Sequence, residues 1–249
     1  MVEQSDKRIV LLTGATGGIG EAIVETLISN GDSVIAVGRN ESKLQAIKDK
    51  HGEKVQSLAI DMKDGTAVDG ILESLSQQWR QVDVLINNAG HDIGGRRLFH
   101  EGSADEWADI LDTNVNGLMR MTRAVVPGMV TRGQGHIVNM GSVSGLFTYA
   151  GGTAYNASKF AVRAFTEALR KDYAETDIRV TEILPGMVRT GFAAQRLSDE
   201  DAGEAFYEEF LSCLEPVDVA NAVLYALEQP PHVNISQVVI EPTRVGKKT

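Results

Sequence analysis

Short runs of β-branched and aliphatic residues recur along this chain, and between them lie longer stretches whose apolar positions repeat with a helical period. The runs predict strands at Arg8–Leu12, Ser33–Gly38, Val55–Ile60, Val82–Asn87, His136–Met140, Arg179–Leu184 and Gln237–Ile240. The stretches predict helices at Ile19–Asn30, Glu41–His51, Asp64–Gln78, Ser103–Val115, Gly117–Arg132, Gly152–Glu175, Glu200–Leu214 and Asp218–Glu228. Strands that are apolar nearly throughout need cover on both faces. Alternation with helices supplies it, so the pattern predicts an α/β fold with a parallel sheet between two helical layers. The alternation is suspended from Pro185 to about Pro216, and residues 186–216 are read as a substrate lid within a single domain spanning 1–249.

With 43% of its 249 residues aliphatic or aromatic and 23% charged, the chain can fill one large core, which excludes disorder over most of its length. No apolar run approaches the ~20 residues of a membrane span, and the first residues enter a strand without an apolar leader, so a cytoplasmic protein is expected. The single cysteine, Cys213, excludes an internal disulfide, offers no metal cluster and is read as a small buried hydrophobe. The net charge of -10 is unevenly spread: Leu197 to Thr243 holds acids and no lysine or arginine, and the rest of the chain is formally neutral. An acidic chain without a basic stripe is a poor partner for nucleic acid or an anionic membrane, and neither is expected.

Thr13-Gly14-Ala15-Thr16-Gly17-Gly18-Ile19-Gly20 follows the first strand and opens the first helix. Glycines at that junction permit a tight turn and close approach to a diphosphate, while the helix N-terminal amides face the anion. Gly14, Thr16, Gly18, Ile19 and Gly20 are therefore candidate dinucleotide contacts. At the end of the second strand an acid would accept hydrogen bonds from ribose hydroxyls, whereas a base suits an added phosphate. The chain reads Val37-Gly38-Arg39-Asn40 there, which points to NADP(H) with Arg39 on the 2′-phosphate.

Tyr155 and Lys159 stand four residues apart and share a helix face. Ser142 lies upstream in Met140-Gly141-Ser142-Val143-Ser144, and Asn114 precedes it in Asn114-Val115-Asn116-Gly117. A phenol is a poor base at neutral pH, but a neighbouring ammonium and a nicotinamide cation favour the phenolate. Tyr155 is accordingly the expected proton donor and acceptor, with Lys159 lowering its pKa and binding the nicotinamide ribose. Ser142 would hold the substrate oxygen, and Asn114 would anchor a water leading to Lys159.

These motifs, with Asn87-Asn88-Ala89-Gly90 and Pro185-Gly186-Met187-Val188-Arg189-Thr190, make the chain resemble a short-chain dehydrogenase/reductase over essentially its whole length. The resemblance implies a seven-stranded Rossmann-type sheet and hydride transfer at the nicotinamide. It also implies that Asp61 meets the adenine, that Asn88, Ala89 and Gly90 line the adenosine ribose side, and that Pro185, Gly186, Val188 and Thr190 contact the nicotinamide. Arg123–Val130, Tyr149-Ala150-Gly151-Gly152 and Pro231-His232-Val233-Asn234-Ile235 are similar to the subgroup of NADP-dependent 3-hydroxy acid and serine dehydrogenases, which implies a small hydroxy acid or acidic aldehyde as substrate.

Arg96 and Arg97, in the loop after the fourth strand, are candidates to pair with a carboxylate or sulfonate, with a solvated loop or a subunit contact as the alternative. His91 is read as a loop or pocket residue, and Ser144, Phe147, Tyr149, Met187 and Phe192 as shaping the pocket. Ala202, Phe206, Phe210 and Cys213 fall on one face of the expected lid helix, and Glu200, Glu204 and Glu208 on another. Ala157, Ala161, Ala164 and Ala168 let a second helix approach, which suits a homotetramer of two-fold symmetry. Two alternatives stand beside the small-acid reading: a reductase of larger carbonyls such as ketosteroids, sugars or acyl-carrier thioesters, and a non-catalytic dinucleotide sensor. A sensor is expected to have lost Tyr155 or Lys159.

Overall fold

The computed structural model describes residues 8–94 and 97–246; Arg96 lies outside the described residues. Seven parallel strands form one sheet: β1 (Ile9–Thr13), β2 (Ser33–Gly38), β3 (Val55–Ala59), β4 (Val84–Asn87), β5 (Gln134–Met140), β6 (Asp177–Pro185) and β7 (Gln237–Ile240). Their spatial order is β3-β2-β1-β4-β5-β6-β7. The chain thus winds outward from β1 to β3, then crosses back to lay β4 on the other side of β1. That reversal places the switch point of the sheet at the carboxyl ends of β1 and β4, beside the turns that follow Thr13 and Asn87.

Successive side chains of a strand point to opposite faces, and the core divides accordingly. Val10 and Leu12 of β1 pack on one face with the apolar sides of α1 (Gly18–Asn30) and α2 (Glu41–His51). Leu11 packs on the other face against α3 (Gly65–Asp69) and α4 (Ile71–Ser74). The continuous helix predicted over Asp64–Gln78 is split because Gly70 separates α3 from α4, and a 3-10 turn at Gln77–Trp79 follows. Beyond β4, α5 (Ala104–Leu111) runs into α6 (Leu118–Arg132) through a π-helical turn at Asp112–Gly117, where the sequence predicts a break. Then come α7 (Thr153–Asp172), α8 (Phe192–Leu197), α9 (Glu200–Glu208) and α10 (Pro216–Leu227), the last packing beside α1. No helix among the described residues is long and apolar enough to cross a membrane.

Residues 186–216 carry two short helices in place of the single one predicted over Glu200–Leu214. In α9 the inward positions are Gly203 and Tyr207, while Ala202 and Phe206 are half-buried. The helix stops at Glu208, so Phe210 and Cys213 leave the predicted face, and Cys213 is half-buried rather than buried. Glu204 and Glu208 are exposed, as expected, but pair with Arg189 at 3.4 and 3.1 Å. The ends of the segment are tied together: Arg189 N donates to Leu214 O at 2.8 Å, and Leu214 N to Met187 O at 2.8 Å. On α7, Ala157, Ala164 and Ala168 face outward.

Candidate active site

A cavity of about 1050 Å³ opens at the carboxyl ends of β1 and β4 and runs under residues 186–216. Gly14, with φ of 67°, turns the chain out of β1 in the left-handed region that glycine adopts without steric cost. A Cβ there would come within 2.9 Å of the Ala89 Cα, so the two turns approach as closely as backbones can. At Gly20 an added Cβ would run into the Gly14 carbonyl, which lets α1 begin directly against the turn. The carboxamide of Asn88 donates to Thr13 O and Gly14 O, each at 3.1 Å, and the Thr13 hydroxyl accepts from Asn88 N and Ala89 N. The cradle is therefore stiff, and Asn88 spends its side chain on bracing it.

Every residue expected to bind the dinucleotide lines this one cavity: Gly14, Thr16, Gly18, Ile19, Gly20, Arg39, Asp61, Asn88, Ala89, Gly90, Tyr155, Lys159, Pro185, Gly186, Val188 and Thr190. Arg39 is exposed at its mouth. Lys43, which the sequence reading missed, lines the same end; its Nζ lies 3.4 Å from Thr16 O and 3.5 Å from Glu21. Its position one helical turn beyond Arg39, in the first turn of α2, is the signal that was available. Arg39 directly after β2, with Lys43 beside it, fits a phosphorylated ribose, and the glycine cradle fits a diphosphate.

Deeper in, Ser142, Ser144, Tyr155 and Lys159 share one wall. Tyr155 is hydrogen-bonded to the Ser142 side chain, and burial pushes its phenol above the ordinary tyrosine value. Lys159 sits with Nζ 5.7 Å from the centroid of the Tyr155 ring and donates to Met140 O at 2.9 Å. Its burial lowers the ammonium to about 8, against the charge of Glu182, a buried acid on β6. Desolvation dominates at the Tyr155 phenol, which is protonated at neutral pH.

Asn114 does not line the cavity. It is buried in the π-helical turn, where its carboxamide clamps the backbone of His91, accepting from His91 N and donating to His91 O at 2.9 Å each, and donates to Ser158 Oγ at 3.1 Å. Its side chain therefore positions the loop after β4 and the Tyr155 helix. His91 is buried too, with Nε2 3.1 Å from Thr113 Oγ1 and 3.2 Å from Asp109 Oδ2, and burial lowers its pKa.

Arg97 is the clearest departure. Its guanidinium pairs with Glu106 at 2.7 Å, donates to Gly94 O at 2.6 Å and lies over the Trp107 ring, away from the cavity-lining residues. The arginine that does line the substrate end is Arg196 on α8, buried against Asp92. Phe147, Tyr149, Met187 and Phe192 line it as expected, joined by Phe206 and Tyr207. The Tyr207 hydroxyl donates to Thr190 O at 3.0 Å and accepts from Ala193 N at 3.3 Å, which pins α9 over the cavity.

Comparison with known proteins agrees with this geometry. The NADP-dependent 3-hydroxy acid dehydrogenase YdfG of Salmonella typhi is 45% identical over 237 residues, covering 94% of each chain. Its counterpart from Escherichia coli (strain K12) is 42% identical over 236 residues, with 94% of each covered. Among solved structures, the closed form of serine dehydrogenase complexed with NADP+ superposes with a TM-score of 0.90 at 42% identity, covering 93% of this chain and 94% of that one. The family model described as short chain dehydrogenase matches residues 8–201, a span that takes in both the glycine cradle and the Tyr155–Lys159 helix. With relatives this similar along almost its entire length, the chain belongs to the short-chain dehydrogenase family.

Proposed function

We propose that this enzyme transfers a hydride between NADP(H) and a small hydroxy acid or its carbonyl counterpart, with Tyr155 as the proton donor and acceptor. The observation that carries the reading is one cavity with the glycine cradle, Arg39 and Lys43 at one end and the Ser142–Tyr155–Lys159 wall further in. The names of the relatives, 3-hydroxy acid dehydrogenase and serine dehydrogenase, support the substrate class. Retention of Tyr155, Lys159, Ser142 and Asn114 together argues against a non-catalytic sensor.

When bound, NADP(H) supplies or accepts the hydride. The protein's share is the proton. Burial keeps the Tyr155 phenol protonated, the state that donates to a carbonyl oxygen during reduction. Ser142, bonded to the phenol, holds that oxygen in line with it. Lys159 is mostly cationic at neutral pH, since its value of about 8 lies above 7, and its charge stabilises the phenolate left after proton transfer. Asn114 is a positioning residue that fixes the His91 loop against the Tyr155 helix. Residues 186–216 act as the lid, holding Val188 and Thr190 toward the nicotinamide end. The outward alanines of α7 suit a helix-pair contact in a homotetramer, which sedimentation of the native protein tests: a monomer alone removes it.

Replacing Tyr155 with Phe tests the chemistry. We expect kcat to fall about 1000-fold while NADPH still binds, as followed by its fluorescence. In the wild type, reduction should vary little over about pH 6–7 and fall as the pH passes about 8, where Lys159 loses its charge, while oxidation should climb from about pH 6, because oxidation needs the phenol to lose its proton first. Carbonyl-dependent NADPH oxidation at full rate in Tyr155→Phe would overturn the assignment.

A further inference from the structure

Arg196 is a buried charge in the aromatic end of the cavity, and no step of hydride or proton transfer uses it. It sits in the last turn of α8, only 7% exposed, and lines the cavity. Behind it, outside the cavity lining, stands Asp92 of the loop after β4, 3% exposed, with Oδ2 2.9 Å from the Arg196 Nε. The contact is one of charge rather than an aligned hydrogen bond. A terminal nitrogen of Arg196 reaches Gly151 O at 3.5 Å, and the guanidinium carbon lies 5.7 Å from the centroid of the Tyr149 ring. The loop after β4, the loop before α7, and α8 itself thus fix its position.

That position is set relative to the reacting atoms. Phe192 lies one helical turn before Arg196 on the same face of α8, and its ring centroid is 5.8 Å from that of Tyr155. The charges of both Asp92 and Arg196 are felt at the Tyr155 proton. Arg196, Ser142 and Tyr155 line the same cavity, so an acid group held at Arg196 shares one space with an oxygen held at Tyr155 and Ser142. Burying an ion pair typically costs more than apolar packing of the same volume, so folding gives little reason to keep one here. Burial pushes the Asp92 carboxyl up to about 6, opposed by Arg196, so at neutral pH it remains an anion that keeps the guanidinium in place. A guanidinium that lines the cavity offers the charge and the N–H donors that pair with a carboxylate.

Resting on the reading of the site as a dehydrogenase of small hydroxy acids, we propose that Arg196, positioned by Asp92 and Tyr149, binds the substrate carboxylate and sets the preference for acidic over neutral substrates.

The test compares 3-hydroxybutanoate with its neutral methyl ester, using NADP+ and the full-length wild type, Arg196→Met and Arg196→Lys. We expect the wild type to favour the acid. In Arg196→Met the acid-to-ester ratio of kcat/KM should fall about 10- to 100-fold, chiefly through KM for the acid, with partial recovery in Arg196→Lys. Butanoate, which lacks the reacting hydroxyl, should raise the Tm of the NADP+-loaded wild type and not that of Arg196→Met. A wild type that favours the ester would overturn the small-acid reading and this proposal with it. A wild type that favours the acid, with the ratio unchanged in Arg196→Met, overturns the Arg196 assignment alone. Should Arg196→Met not fold, the neutral Arg196→Gln takes its place, and an unchanged ratio there overturns the assignment equally.

Discussion

At the glycine-rich end of the cavity the protein meets its ligand largely with backbone, whereas beneath residues 186–216 it presents side chains held by charge pairs and rings. The first end is assembled from two adjacent turns, at Thr13 and Asn87, locked by hydrogen bonds between residues of those same turns. The second draws Asp92, Tyr149 and Arg196 from three separate segments. A dinucleotide is common to many chemistries and can be bound by a fixed backbone cradle. A substrate differs from enzyme to enzyme, and side chains on an inserted segment change without disturbing the sheet.

If that division is correct, the backbone end should tolerate change least. Gly14→Ala places a Cβ at a φ of 67°, where L-residues pay about 1–2 kcal/mol, and drives it to 2.9 Å from the Ala89 Cα and the Asn88 Nδ2. We expect NADPH affinity to fall at least about 100-fold in fluorescence titration, together with a lower Tm. Near-normal NADPH binding would mean that the cradle yields, and that its stiffness is not what selects the ligand. Arg39→Ala should act more narrowly, at the one place where that end relies on a side chain. KM for NADP+ should rise about 10- to 100-fold while KM for NAD+ moves little, with Lys43 keeping part of the phosphate contact. An unchanged ratio of the two KM values would take Arg39 out of cofactor choice.

The same division explains what could be read from the sequence. The sheet, its order of elements and the cradle depend on local patterns: short apolar β-branched runs, glycines at a strand–helix junction, and Tyr155 four residues from Lys159. Local pattern misled where continuity depended on a single glycine, as at Gly70, or on a π-helical turn that carries one helix through Asp112–Gly117. At the substrate end it could not decide between arginines. Arg97 and Arg196 follow the carboxyl ends of β4 and β6 at nearly the same distance along the chain, and only the fold of residues 186–216 brings Arg196 beside Asp92 and directs it into the cavity. The raised phenol of Tyr155 is not legible in the motif for a related reason: desolvation is a property of everything packed around a group, and no motif records it.

The smallest expected effect makes the sharpest comparison at that end. Arg97 and Glu106 are each about a third exposed in their side chains, and the guanidinium rests on the Trp107 ring outside the cavity. Partly exposed pairs of this kind contribute little, because water screens the charges and ordering two long side chains opposes the gain. Arg97→Met keeps much of the packing on Trp107 and removes only the charge. We therefore expect Tm to stay within about 2 °C and the acid-to-ester preference within about twofold, where Arg196→Met should change that preference by at least about tenfold. A loss of acid preference in Arg97→Met, with Arg196→Met unaffected, would reverse the two roles. It would require the loop after β4 to swing its arginine away from Glu106 and into the cavity when substrate binds, and the substrate end would then be built on movement rather than on a preset ion pair.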